Sequence, residues 1–209
     1  MNRQELILYG ITDRSWLEGG RLSDKVQEAI NGGATIIQYR EKNLDGDALL
    51  EDAKSVLEVC RKNNIKLIIN DNVSLAKEID ADGVHLGQND MDISKAREIL
   101  GNDKIIGITA KTIKQAQLAE EKGANYLGSG AVFGSKTKKD AIPMEHDLLQ
   151  KICESVNIPV VAIGGINKDN ILELKGRKMA GVAVVSGIFK AHNIEEATKE
   201  LFEKAKAII

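Results

Sequence analysis

The sequence has few cysteines, few prolines and no linker-like segment. Its 209 residues include only two cysteines and two prolines. Two cysteines without a Cys-x-x-Cys spacing give neither a disulfide framework nor a zinc site. Because Cys60 lies on a helical apolar stripe, we expect it to pack in the core. No Pro/Ser-rich stretch or charge block marks a boundary, so residues 1–209 are predicted to form one domain.

Charge and hydropathy also exclude several classes of protein. Twenty-nine basic residues stand against 31 acidic ones, and no basic run exceeds the Lys138-Lys139 pair and its neighbour Lys136. We therefore expect neither a nucleic-acid-binding surface nor one for anionic membranes. The apolar run after Arg3 and Glu5 is too short for a signal peptide, and no apolar stretch approaches the ~20 residues of a membrane span. These features predict a cytoplasmic protein.

Eight short runs of β-branched and aliphatic residues recur along the chain, with segments of helical periodicity between them. The runs are almost continuously hydrophobic, as expected of parallel strands covered on both faces. They lie at residues 6–11, 35–39, 66–69, 83–86, 105–108, 125–127, 159–163 and 181–185. Eight βα units in 209 residues come close to the minimum of about 200 residues for a (β/α)₈ barrel. We therefore predict an α/β fold, a single (β/α)₈ TIM barrel, with an open doubly wound sheet as the alternative.

Polar residues follow the predicted strands at the end where a barrel builds its active site. They are found at residues 38–42, 70–71, 85–90, 109, 134–139, 164–165 and 185–187. Arg40, Lys42 and Lys138 would place three cations on one rim, and nearby hydroxyls and glycine amides add hydrogen-bond donors. This combination is typical of a site for phosphate groups.

Asp71 and Asp90 supply two carboxylates next to this cluster of cations. A Mg²⁺ ion that keeps its waters and bridges to substrate phosphate would explain the two acids. Each residue also has a plainer interpretation: Asp71 could cap a helix, Asp90 could be a turn residue, and Arg40 or Lys42 could be a solvated loop charge. His85 could be a packed strand histidine. The site hypothesis is favoured because the polar residues fall at the same end of successive strands.

Five segments carry a resemblance to a known family, in that family's order and over nearly the whole chain. They are Gln38-Tyr39-Arg40-Glu41-Lys42, Asn70-Asp71, residues 82–90, Thr137-Lys138-Lys139-Asp140 and Ile163-Gly164-Gly165-Ile166. This set resembles thiamine-phosphate synthase. Two departures are visible: Thr109 stands where the family often has serine, and Gly134-Ser135 stands where it has Pro-Thr.

The resemblance implies a barrel that joins 4-amino-2-methyl-5-(diphosphooxymethyl)pyrimidine to thiazole phosphate, giving thiamine phosphate and pyrophosphate. One Mg²⁺ ion would be held by Asp71 and Asp90. The pyrimidine diphosphate would be bound by Gln38, Tyr39, Arg40, Glu41, Lys42, Asn70, His85, Thr109 and Lys138. The thiazole phosphate would be received by Ser135, Lys136, Thr137, Gly165, Val185 and Ser186. Arg40, Lys42 and Lys138 would be catalytic, because they stabilise charge on the departing diphosphate.

Two other functions stay open at this point. A TenI-type relative of the same fold would bind or isomerise a thiazole intermediate, but such relatives depart from the synthase around the diphosphate and metal residues, which are all present here. A barrel isomerase of sugar phosphates would use a phosphate site and leave Asp71 and Asp90 without a task. The sequence predicts small phosphorylated molecules as partners and allows a homo-oligomer.

Overall fold

Eight parallel strands close into a barrel in the computed structural model, which describes residues 1–17, 19–134 and 144–209. The strands are β1 (Leu8–Ile11), β2 (Ile36–Tyr39), β3 (Lys66–Asn70), β4 (Gly83–Leu86), β5 (Ile105–Thr109), β6 (Tyr126–Gly130), β7 (Val160–Ile163) and β8 (Gly181–Val184). Each strand pairs with the next in sequence, and β8 pairs with β1 through Leu8 and Val182. The predicted TIM barrel is confirmed, and the open-sheet alternative is wrong.

Helices cover the outside of this barrel. They are α1 (Leu22–Asn31), α2 (Gly46–Lys62), α3 (Val73–Glu78), α4 (Ile93–Leu100), α5 (Ile113–Glu121), α6 (His146–Glu154), α7 (Ser186–Phe189) and α8 (Ile194–Lys206). The βα alternation is interrupted once, because β7 and β8 are joined through a four-residue 3₁₀ helix, Ile171–Leu174. Across the described ranges, we find no helix with the length and apolar character that a membrane crossing requires.

The buried hydrophobic residues form two layers. Successive residues of a strand point to opposite faces, so Ile36 faces the barrel interior while Ile37 faces the helices. The interior layer also contains two tyrosines, Tyr9 and Tyr126. Cys60 is fully buried in the outer layer, as predicted, and burial raises the pKa of its thiol to about 12.

Strand β6 extends further than its sequence predicts. The residues Gly128-Ser129-Gly130 have the composition of a loop, but their backbone pairs with β7, with Ser129 opposite Ala162. The Ser129 hydroxyl is fully buried and donates to the carbonyl of Ala110 at 2.8 Å. Backbone pairing to both neighbouring strands therefore overrides the local preference, and β6 ends at Gly130 instead of at the predicted residue 127.

Candidate active site

The carboxyl ends of β3 and β4 bring two acids together. Asp71 follows β3 in the left-handed backbone region, with a φ of 61°, which is uncommon for a residue other than glycine. Its backbone N–H donates to the carbonyl of His85 at 2.9 Å. Asp90 lies in the turn after β4, where its Oδ2 accepts the N–H of Gly87 at 2.6 Å. Burial and the neighbouring Asp71 carboxyl together raise the pKa of Asp90.

The plainer interpretations of these acids are settled by the helix caps. Helix α3 is capped by Asn72, whose side chain accepts the N–H of Leu75 at 2.9 Å, and α4 is capped by Asp92. The capping interpretation of Asp71 is therefore wrong. Asp90 does stabilise a turn through Gly87, and the same carboxyl lies beside Asp71.

Lys42 reaches the acid pair from the loop between β2 and α2. Its Nζ donates to Asp71 Oδ2 at 2.8 Å, and Asn70 Nδ2 donates to the same oxygen at 2.7 Å. Arg40 and Lys42 line one cleft of about 290 Å³, which also contacts residues 13–16. Lys42, Asn70 and the two acids therefore form one charged cluster, and Arg40 shares the cleft with Lys42.

The donor atoms of the acid pair are hard carboxylate oxygens, the kind that Mg²⁺ accepts. Within the described ranges, no group of three or more His, Cys, Asp or Glu side chains could hold a metal. Mg²⁺ is commonly bound through one or two carboxylates, while waters and substrate phosphates complete its coordination. The hard oxygen donors of Asp71 and Asp90 match that requirement.

Inside the barrel, five polar side chains form a continuous chain of hydrogen bonds. Gln38 Nε2 donates to Tyr9 Oη at 2.9 Å, and Tyr9 Oη lies 2.8 Å from Tyr126 Oη. Tyr126 Oη lies 3.0 Å from His85 Nδ1, and His85 Nε2 lies 3.0 Å from Thr109 Oγ1. We call these five residues the interior chain. It connects β2, β1, β6, β4 and β5 across the barrel.

The interior chain contains three residues that the sequence singled out and two that it did not. Gln38, His85 and Thr109 were predicted to bind the pyrimidine diphosphate. Tyr9 and Tyr126 were missed, and burial raises the pKa of both phenols, so both keep their protons. The available sequence signal was Gly107 in the middle of β5: it lies opposite Tyr126, and a Cβ there would overlap the tyrosine ring.

Two residues of the predicted pyrimidine-diphosphate set have side chains that make contacts within the protein, although Glu41 also lines the cleft of Arg40 and Lys42. Tyr39 is 1% exposed in the outer layer, and its hydroxyl donates to Asp52 of α2 at 2.9 Å. It follows Gln38 in β2 and therefore points to the opposite face of the strand. Glu41 turns toward Arg14 and forms an ion pair at 2.6 Å. Both side chains hold the β2–α2 loop in place.

The loops after β6 and β7 adjoin one another. The N–H of Phe133 donates to the carbonyl of Gly164 at 3.0 Å. Gly165, with a φ of 68°, packs against the backbone carbonyls of Phe133 and Gly134. Val185 follows β8 directly and Ser186 begins α7. The predicted thiazole-phosphate residues Ser135, Lys136 and Thr137, together with Lys138, lie outside the described residues.

Comparison with known proteins identifies one family over nearly the whole chain. The family model described as thiamine monophosphate synthase matches residues 8–188. The thiamine-phosphate synthase of Clostridium novyi is 49% identical over 93% of this chain and 96% of its own length, and that of Persephonella marina is 45% identical over 96% of each. A solved structure of thiamine phosphate pyrophosphorylase from Pyrococcus furiosus superposes with a TM-score of 0.91 and 41% identity over 99% of this chain and 98% of that one. The resemblance read from the sequence is confirmed, and the chain belongs to the thiamine monophosphate synthase family of transferases.

Proposed function

We propose that residues 1–209 form a catalytic domain that joins 4-amino-2-methyl-5-(diphosphooxymethyl)pyrimidine to thiazole phosphate. The second substrate is 4-methyl-5-(2-phosphooxyethyl)thiazole or its carboxylated form. The products are thiamine phosphate and pyrophosphate, and the carboxylated form also loses its carboxyl group as carbon dioxide. The observation that carries the proposal is the acid pair of Asp71 and Asp90 with Lys42 bound to it. Relatives named thiamine-phosphate synthase over nearly the full length support the same reaction.

The proposed reaction requires no protein nucleophile. The C–O bond to the diphosphate breaks, the diphosphate leaves, and the thiazole nitrogen captures the pyrimidine-methyl cation. Negative charge accumulates on the leaving group, and Arg40 and Lys42 stabilise that charge from the cleft they share. We assign the same role to Lys138, which lies outside the described ranges. A preorganised electrostatic contact of this kind is worth about 2.7–4 kcal/mol.

We assign Asp71 and Asp90 as the carboxylates that would hold one Mg²⁺ ion. The bound ion supplies positive charge next to the departing diphosphate. Asn70 fixes the Asp71 carboxylate by donating to its Oδ2, and Gly87 fixes that of Asp90. The two acids are therefore oriented before any ligand arrives, which reduces the cost of assembling the site.

The remaining assignments follow the geometry of the mouth. Gln38, Asn70, His85 and Thr109 would bind the pyrimidine diphosphate, and the enclosed interior would keep water from the cation. The glycine-rich backbone at Gly165 and the start of α7 would receive the thiazole phosphate. This second group comprises Gly165, Val185 and Ser186, with Ser135, Lys136 and Thr137 assigned from the sequence alone.

One incubation tests the proposed function against its alternatives. The protein is mixed with both phosphorylated halves and Mg²⁺, and pyrophosphate and thiamine phosphate are measured together. We expect equal amounts of the two products. A thiazole isomerase would change the thiazole without releasing pyrophosphate, and a sugar-phosphate isomerase would consume neither half. Product formation no greater than that of the same mixture without protein would overturn the proposal.

We infer that the protein acts on small phosphorylated molecules in the cytoplasm, with no nucleic-acid or membrane partner. The net charge of −2 and the short basic runs support this inference.

A further inference from the structure

The two tyrosines of the interior chain lie where no substrate group can reach them directly. Tyr9 is 1% exposed and Tyr126 is fully buried, whereas His85 and Thr109 are partly exposed. The tyrosine hydroxyls nevertheless bond to Gln38 on one side and His85 on the other. Phenylalanine would fill the same space, and a buried hydroxyl is costly unless it is hydrogen-bonded. The hydroxyl groups therefore call for an explanation beyond packing.

The protons of the interior chain can be placed from its Gln38 end. An amide nitrogen only donates, so Tyr9 Oη accepts the hydrogen bond from Gln38. A hydroxyl has one proton, so Tyr9 donates to Tyr126, and Tyr126 donates to His85 Nδ1. If Tyr126 donated to Tyr9 instead, the buried proton of Tyr9 would have no acceptor within the interior chain.

This order defines the tautomer of His85. Because Nδ1 accepts from Tyr126, the proton of the neutral imidazole lies on Nε2, which donates to Thr109 Oγ1. The hydroxyl proton of Thr109 is then available to a ligand, and so is the amide oxygen of Gln38. An aminopyrimidine matches that pair, since its amino group donates and its ring nitrogens accept.

We propose that Tyr9 and Tyr126 are positioning residues for the pyrimidine substrate: Tyr126 fixes His85 in the Nε2–H tautomer, and Tyr9 fixes the amide of Gln38. The pair thereby determines which atoms of the interior chain donate to the substrate and which accept from it. This inference rests on the proposed function for the identity of the substrate. The tautomer of His85 does not depend on that identity and is measured without substrate.

Nitrogen-15 NMR tests the tautomer directly. The chain has three histidines, so the set of signals that is lost in His85→Gln identifies the resonances of His85. At about pH 8, above the ordinary histidine pKa of about 6.5, we expect an unprotonated Nδ1 and a protonated Nε2 in the unmodified protein. Tyr126→Phe should give a mixture of tautomers, and Tyr9→Phe should keep the single one. A protonated Nδ1 in the unmodified protein, or an unchanged tautomer in Tyr126→Phe, overturns the proposal.

Steady-state kinetics test the positioning role. We expect each tyrosine variant to raise the KM for the pyrimidine diphosphate on the order of tenfold, which is the loss of one hydrogen bond. The KM for thiazole phosphate should stay unchanged. The matched control is Thr198→Val, which removes a buried hydroxyl that donates to Ile194 in α8 at 2.7 Å.

Thr198→Val should change neither KM. Equal rises in both KM values of a tyrosine variant, or a pyrimidine KM that rises no more than in Thr198→Val, overturn the positioning role. If Tyr126→Phe does not fold, the tautomer of the unmodified protein and the kinetics of Tyr9→Phe decide the question. If the unmodified protein makes no thiamine phosphate, the proposed function fails while the NMR result still tests the tautomer.

Discussion

The carboxylate of Glu41 lies 2.6 Å from Arg14 Nε, and the Glu41 side chain is only 1% exposed. Its second oxygen accepts the backbone N–H groups of Lys42 and Asn43 at 2.7 and 2.6 Å. Arg14 is held in turn by an ion pair with Asp52 of α2. One ionised side chain thus fixes the backbone that carries Lys42 toward the acid pair.

We expect Glu41→Gln to destabilise the protein by roughly 1.5–3 kcal/mol at neutral pH, the range for a hydrogen bond to a charged group. Burial alone would raise the pKa of Glu41, but Arg14 and the two backbone donors lower it below its ordinary value of 4.5. A depressed carboxyl pKa gives stability that is present above the unfolded pKa and is lost as the pH falls through the folded value. Urea unfolding should therefore show a gap between the two proteins that narrows below about pH 4.5.

Glu98→Gln is the control for this measurement, because Glu98 is an exposed glutamate of α4. Its stability should follow the unmodified protein at every pH. A Glu41→Gln gap that stays constant between neutral and acidic pH would show that the ionised Glu41 contributes no stability of its own.

The acid pair leads to a prediction about turnover. Asp71→Asn and Asp90→Asn should each lower kcat by about 10²–10³, because each removes one charged oxygen donor for Mg²⁺. The fold should persist, since each substitution also relieves the mutual repulsion that, with burial, raises the pKa of Asp90. Pyrophosphate release at increasing Mg²⁺ concentration checks this, together with the thermal midpoint. Lys138→Ala should lose turnover without changing the Mg²⁺ requirement.

Asp92→Asn makes the same change of charge outside the site. Asp92 caps α4 and pairs with Lys122 at 2.6 Å, and asparagine is an equally good cap. Its turnover should match that of the unmodified protein. Near-normal turnover in Asp71→Asn would contradict the assignment of the acid pair.

The fold could be predicted because each βα unit has a recognisable local sequence pattern. Near-continuous apolar runs gave all eight strands to within a few residues, and the family resemblance supported the closed topology. The errors lie where pairing overrides composition, as for the Gly-Ser-Gly end of β6, or where a regular helix is replaced by Ile171–Leu174. Neither feature has a local signal, because both depend on neighbouring strands and helices.

The site was only partly predictable, for a different reason. Asp71 and Asp90 follow adjacent strands, so parallel topology alone brings them together. Tyr9 and Tyr126 are 117 residues apart, and each occurs in a strand with the composition of ordinary core. Only the register of the closed barrel places their hydroxyls in contact. The polar residues at the ends of individual strands do not reveal this contact.

A variant of Tyr39 distinguishes the substrate-binding role that the sequence predicts from the structural role that its contact with Asp52 indicates. If its hydroxyl contacts only Asp52, Tyr39→Phe should lower stability by roughly 1–3 kcal/mol and leave the KM for the pyrimidine diphosphate near its original value. Tyr9→Phe removes a buried phenol hydroxyl as well and should raise that KM. Paired kinetics and urea unfolding of the two variants check this. A tenfold higher KM in Tyr39→Phe would support the sequence prediction that its side chain binds the substrate.

Gly165 tests whether the loops after β6 and β7 form one unit. A Cβ at this position would lie 2.7 Å from the carbonyl oxygen of Phe133 and 2.9 Å from that of Gly134, and the φ of 68° adds its own cost, about 1–2 kcal/mol for a side chain. Gly165→Ala should therefore lower stability and raise the KM for thiazole phosphate several-fold, because Gly134 directly precedes the predicted phosphate-binding residues. Gly123→Ala is the matched control: its φ is 87° but nothing lies within 4 Å of the added Cβ, so it should lose stability and keep both KM values. Equal KM values for thiazole phosphate in the two variants would separate Gly165 from the thiazole phosphate site.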